Sequence, residues 1–226
     1  MVAAGSAHTV LLGSDGTAVA CGRNESGQCD IPALGAGQIY VQVAAGGSHT
    51  ALLRSDGTVA ACGCNESGQC DIPAPRAGQT YVQGAAGKSH TVLLRSDGTA
   101  VACGCNWWSQ CVIPALGAGQ TYTQVAAGES HTVLLRSDGT TVGCGRGTEG
   151  QTDIPALDAG LTYVTRVLPE APTFLLQASL VGRRWNGEIQ FLTMGGEDCY
   201  RIRARPTTLL ADIYEQLTDA HRAASF

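Results

Sequence analysis

Residues 43–73 read VAAGGSHTALLRSDGTVAACGCNESGQCDIP, and this stretch decides the fold. HTALLRS and TVAACG are short apolar runs bounded by turn residues, the pattern of two β-strands. Ser55-Asp56-Gly57-Thr58 lies between them, and Asp-Gly signals a hairpin because glycine accepts the positive φ of a tight turn. A further strand is expected over YVQVAAG, starting at Tyr40. The stretch CDIPALGAGQ can add only a short edge strand, since proline removes a ladder donor. The unit therefore reads as an antiparallel sheet of three to four strands.

The unit recurs. His8, His49, His90 and His131 stand 41 residues apart, each in the context Gly-x-x-His-Thr. Gly16, Gly57, Gly98 and Gly139 mark the Asp-Gly turns, and the second apolar run ends at Cys21, Cys62, Cys103 and Cys144. A polar loop follows and closes on Pro32, Pro73, Pro114 and Pro155, while Tyr40, Tyr81, Tyr122 and Tyr163 keep the same register. A sheet this small cannot bury both faces alone. It must stack on neighbours, and a 41-residue period is that of a propeller blade. The expected fold is all-β, with four blades over residues 1–165. Closing seven blades at this period would take roughly 290 residues, so an open arc or a fragment of a longer propeller is expected. The repeat begins at Val2, which fits a chain truncated at its start.

These motifs, V-A-A-G-x-x-H-T, then D-G, then N-x-x-G-Q, resemble the regulator-of-chromosome-condensation repeat family over about residues 2–165. The resemblance implies a β-propeller that presents loops on two faces and binds partner proteins without catalysis. It also implies a blade-internal hydrogen-bonding role for His8, His49, His90 and His131. Two alternatives come with it. One is a fragment of a HECT-class ubiquitin ligase, which would need a C-terminal catalytic domain longer than anything here. The other is a guanine-nucleotide exchange propeller, which would need a closed ring and an insertion that the unbroken period leaves no room for.

Past the fourth copy the period fades. Residues 166–186 read as a degenerate fifth repeat and linker, with Pro172 at the fifth histidine position. Residues 187–226 read as a hairpin, over Ile189–Met194 and Cys199–Arg205, followed by a helix from Thr207 or Thr208 to about Ala224. That order makes a small α+β tail similar to part of a ubiquitin-like fold.

Composition narrows the function. The net charge of −5 argues against a nucleic-acid or anionic-membrane binder driven by bulk charge. Ile31–Leu53 and Thr99–Gly128 lack charged residues, but their Pro, Gly and amide content rules against membrane spans. The N-terminus has no basic region and no cleavage pattern of a secretory signal. An intracellular protein, cytoplasmic or nuclear, is expected. No catalytic pair stands beside the histidines, which lie one per blade. The ten cysteines sort by repeat column instead of gathering as zinc ligands, so no metal or other cofactor is expected. Free thiols are expected, with Cys64–Cys70 and Cys105–Cys111 bridges as the alternative.

Two features are candidates for partner binding. In the third loop Asn106-Trp107-Trp108-Ser109-Gln110-Cys111-Val112 replaces the NESGQCD of copies one and two. A polar loop has turned apolar, and Trp107, Trp108 and Val112 are candidates for a protein-binding or self-association anchor, packing against a neighbouring loop being the other reading. Arg54, Arg95 and Arg136 precede three of the turns and form a row. Each pairs with Asp56, Asp97 or Asp138, or together they face an acidic partner.

Overall fold

In a computed structural model the described residues are 1–155 and Tyr163, with the strands at 174–175, 188–193 and 199–203. β1 (Val2–Ala4), β2 (His8–Leu12) and β3 (Ala18–Gly22) form the first sheet, and β4 (Tyr40–Ala45), β5 (His49–Arg54) and β6 (Val59–Gly63) the second. β7 (Tyr81–Ala86), β8 (His90–Arg95) and β9 (Ala100–Gly104) form the third. β10 (Tyr122–Ala127), β11 (His131–Arg136) and β12 (Thr141–Gly145) form the fourth. Every sheet is an antiparallel meander, and the register repeats: His49 faces Gly63, as His90 faces Gly104 and His131 faces Gly145. The four sheets are propeller blades.

Each blade has three strands. The stretch from the loop cysteine to the next tyrosine forms turns: Asp30 donates its N–H to Gly27, Ile31 to Cys29 and Gln38 to Gly35. It is pinned by the Tyr40 hydroxyl, which donates to the Pro32 carbonyl at 2.6 Å, a bond repeated by Tyr81, Tyr122 and Tyr163. The edge strand that the sequence left open is not formed, because consecutive turns and a proline take its place.

The Asp-Gly turns do more than reverse the chain. Gly57 sits at φ 78°, and a Cβ there would lie 2.3 Å from the Cβ of Thr80. Only glycine lets the turn approach so closely. Its carbonyl accepts the N–H of Tyr81, the first residue of the next blade, as Gly16 accepts from Tyr40 and Gly98 from Tyr122.

The core lies between blades. Val10 of blade one packs with Tyr40, Val43, Leu52 and Ala60 of blade two. Leu53 of blade two packs with Tyr81 and Leu93 of blade three. Val92 and Leu94 of blade three pack with Tyr122, Val125 and Leu134 of blade four. Leu52, Leu93 and Leu134 are completely buried, each stabilising its interface by about 1.5–3 kcal/mol.

Residues 1–165 and 166–226 are separate compact units. In the second, β13 (Phe174–Leu175), β14 (Glu188–Thr193) and β15 (Cys199–Arg203) form an antiparallel sheet in that order. β14 and β15 pair antiparallel, with Ile189 opposite Ile202. The helix expected from residue 207 to 224 lies outside the described residues. Among the described residues no helix is long and apolar enough to cross a membrane.

Candidate functional site

Three of the repeated histidines, His8, His49 and His90, are ties between blades, not within them. His8 Nε2 lies 2.9 Å from Thr50 Oγ1 of the next blade, His49 lies 2.9 Å from Thr91, and His90 lies 3.0 Å from Thr132. Each threonine hydroxyl donates its one proton to a loop carbonyl of the preceding blade, Thr50 to Gln28 at 2.7 Å and Thr91 to Gln69 at 2.8 Å. Its oxygen therefore accepts from the imidazole, which fixes the neutral Nε2–H form. Nδ1 of His8, His49 and His90 is buried without a partner. It lies against the backbone of the preceding turn, where a Cβ on Gly46 would come within 2.6 Å of His49 Nδ1. Burial pulls the pKa of His49 and of His90 down to about 4. The blade-internal role implied by the resemblance is thus replaced by an inter-blade one, since packing brings the acceptor from 42 residues away.

Gln28, Gln69 and Gln110 are buried residues of the same network to which the sequence assigned no role. Each side-chain Oε1 accepts the N–H two residues earlier, from Ser26, Ser67 and Trp108. The signal was available: the glutamine recurs in all four loops.

The described cysteines are free. Cys62, Cys103 and Cys144 point their thiols at the carbonyls of Gln28, Gln69 and Gln110. Burial pushes Cys62 up to about 11 and Cys103 to about 12, away from reactive thiolate chemistry. Cys70 donates to the Cys64 carbonyl and Cys111 to the Cys105 carbonyl instead of bridging. Among the described residues no His, Cys, Asp or Glu side chains gather as a metal site.

The third loop keeps the backbone of the others with different chemistry. Asn24 and Asn65 span their loops, accepting from Cys29 and Cys70 and donating to Asp30 and Asp71. Asn106 still accepts from Cys111, but Val112 offers it no carboxylate. Gly27, Gly68 and Gly150 hold the left-handed position at φ 79°, 80° and 76°, and Ser109 takes it at φ 64°. It is the one non-glycine among the described residues with positive φ, a strained position for a side chain. Trp107 is 93% exposed, Trp108 50% and Val112 56%. The two indoles are not among the buried core residues, and the Arg146 guanidinium of blade four lies 5.6 Å from the centre of the Trp108 ring.

Arg54, Arg95 and Arg136 end the middle strands of their blades, at the end opposite the loops that follow β3, β6, β9 and β12. The structure therefore does not bring the arginine row and the tryptophans together. The expected Arg–Asp pairs are not formed. Asp56 Oδ1 accepts both the N–H and the hydroxyl of Thr58, and Oδ2 accepts from Gln38. These bonds, the Thr58 hydroxyl foremost, hold Asp56 below the usual carboxylate range. The arginines turn aside: Arg54 Nη1 reaches Thr58 Oγ1 at 3.4 Å, and Nε of all three is buried without a partner.

No curated protein matches the sequence. Similar solved structures include Prp20p from Saccharomyces cerevisiae, at 21% identity and TM-score 0.58, covering 89% of this chain and 57% of that one. Human WBSCR16 gives 22% and 0.56, covering 65% of this chain and 48% of that one. The ectodomain of the Physcomitrella patens receptor kinase CR4 gives 22% and 0.57, covering 73% and 45%. The chain thus spans about half the length of the structures it resembles. The Regulator of chromosome condensation (RCC1) repeat matches at residues 2–28, 40–69, 81–106 and 122–151. The match stops short of the second unit, so nothing supports a ubiquitin-like reading there. Over the four blades, which together make up half of the sequence in matched residues alone, the chain belongs to the regulator of chromosome condensation (RCC1) repeat family.

Proposed function

We propose that the chain is a non-catalytic protein-interaction module whose partner-binding anchor is the loop of Trp107, Trp108 and Val112. The observation that carries this reading is the 93% exposure of Trp107, in a loop position that is polar in the copies on either side. A large indole held in water on a rigid turn is the kind of residue that dominates protein interfaces. The class of function is supported by Prp20p, a yeast protein of the same fold described as binding Gsp1p and histones. Its particular partners are not carried over. No observation favours a ligase fragment or nucleotide exchange.

Trp107→Glu with Trp108→Ser restores the chemistry of copies one and two. Burying both indoles against a partner contributes on the order of 2–4 kcal/mol, so the double variant is expected to lose roughly 30-fold or more in affinity. The check is quantitative capture of partner proteins from an extract of the source cells, with the thermal midpoint measured alongside. Unchanged capture overturns the reading, and so does unfolding, which would make the tryptophans core residues.

A further inference from the structure

The side-chain charge of residues 1–155 is divided unevenly between the two ends of the blades. At the end of the Asp-Gly turns, Asp15, Asp56, Asp97 and Asp138 are matched in number by Arg54, Arg76, Arg95 and Arg136. Arg76 belongs to this end because its carbonyl accepts the N–H of Gln79, whose side chain donates to Asp97. At the other end Lys88 and Glu129 pair at 2.7 Å and cancel. The whole excess of negative charge therefore stands on the loops that follow β3, β6, β9 and β12. Glu25, Asp30, Glu66, Asp71, Glu149 and Asp153 are all exposed there, against Arg23 and Arg146, a net charge of −4. Both arginines are engaged, Arg23 with Glu25 and Arg146 with Glu149. Asp30, Glu66, Asp71 and Asp153 form no ion pair among the described residues.

Trp107, Trp108 and Val112 lie within this acidic end, on the one loop of the four that carries no charge, between the loops of blades two and four. The molecule itself shows what settles on such a surface. The Arg146 guanidinium lies 5.6 Å from the centre of the Trp108 ring, with a Glu149 carboxylate oxygen 3.7 Å from its Nη2. A guanidinium gains both from the negative face of an indole and from a carboxylate beside it. Trp107, 93% exposed, offers a second ring of the same kind, and the neighbouring loop of blade two carries Glu66 and Asp71.

We propose that the partner seated on the tryptophan loop is a basic segment of another protein. Its arginines or lysines meet the Trp107 ring and the carboxylates of Glu66 and Asp71, and an apolar side chain among them covers the Trp107–Val112 surface. The proposal rests on the reading of this loop as the anchor and adds the chemistry of what it holds. An acidic partner is repelled by the flanking loops, and the attraction of a basic one weakens with salt.

The test is calorimetric titration of the full chain with the peptides acetyl-RRLRR-amide and acetyl-EELEE-amide and with spermine. The basic peptide is expected to bind saturably, and the acidic peptide is expected not to bind. The affinity of the basic peptide is expected to fall about tenfold between about 0.1 M and about 0.5 M salt. Glu66→Arg, at an exposed position, is expected to weaken it about tenfold. Arg76→Glu, exposed at the turn end, makes the chain more negative and is expected to leave the affinity within about twofold. Trp107→Ala/Trp108→Ala is expected to abolish binding. Absence of binding by the basic peptide overturns the proposal. Equal binding of both peptides, lost in the tryptophan variant, leaves the anchor standing and overturns its basic partner. Spermine binding as tightly as the peptide, or an affinity that rises in Arg76→Glu and ignores Glu66→Arg, reduces the effect to bulk charge and overturns the proposal. A tryptophan variant that binds the basic peptide as well as wild type separates the acidic loops from the anchor and overturns it too. Circular dichroism and melting check each fold; should Glu66→Arg melt early, Glu66→Gln takes its place, with a loss of about threefold expected.

Discussion

The loop at 106–112 and its counterparts at 24–30 and 65–71 have the same turn and opposite chemistry. All three keep the buried glutamine and the asparagine that accepts from the loop cysteine. The third replaces Glu-Ser by Trp107-Trp108, the glycine by Ser109 and the aspartate by Val112. The difference separates two kinds of position in a repeat. Residues that tie one blade to the next recur unchanged, while the loop surface is free to change. The third loop even tolerates a side chain at a left-handed position.

If the inter-blade ties carry stability, acid should break them first. His49 and His90 titrate at about 4 in the fold and near 6.5 when unfolded. Their folded pKa values are depressed, so their contribution is complete above pH 6.5 and is lost as pH falls from 6.5 toward 4. The loss approaches about 3 kcal/mol for each histidine. Urea unfolding at a series of pH values checks this, and a flat profile between pH 6.5 and 4 breaks the comparison on the buried side. Next in size, Thr91→Val leaves a buried imidazole N–H and the Gln69 carbonyl without their partner, and is expected to cost about 2–4 kcal/mol. Thr9→Val, in the same column but half-buried and without a histidine partner, is expected to cost less than about 0.5 kcal/mol. Comparing both by urea denaturation under dilute conditions sharpens the contrast within one column.

On the loop side the effects are smaller. Ser109→Gly relieves the positive φ and is expected to stabilise by about 1 kcal/mol, read as a rise in the melting temperature. Val112→Asp restores the carboxylate for Asn106 and is expected to add only about 0.5 kcal/mol at an exposed site.

The fold was legible because its punctuation is chemical. Asp-Gly at Gly16, Gly57, Gly98 and Gly139 fixes the hairpins, and the 41-residue period sets blade after blade. The site was legible in part. Trp107 and Trp108 announce themselves against polar counterparts, and both are exposed. What the histidines touch was not legible, since the acceptor belongs to the next blade and only packing brings it near. The Arg54–Asp56 pair failed for a local reason. Thr58, two residues past the aspartate, captures the carboxylate within the turn before the arginine can reach it. That Asp-x-Thr spacing is readable in the sequence. The edge strand was a matter of competition between a short ladder and three successive turns, which no apolar pattern decides.

The central claim is that the ties between blades hold the fold while the third loop is free for binding. Equilibrium urea unfolding of Trp107→Glu/Trp108→Ser beside Thr91→Val tests it most directly. The account predicts that the tryptophan variant stays within about 0.5 kcal/mol of wild type while Thr91→Val loses about 2 kcal/mol or more. A tryptophan variant that loses as much as Thr91→Val would contradict it.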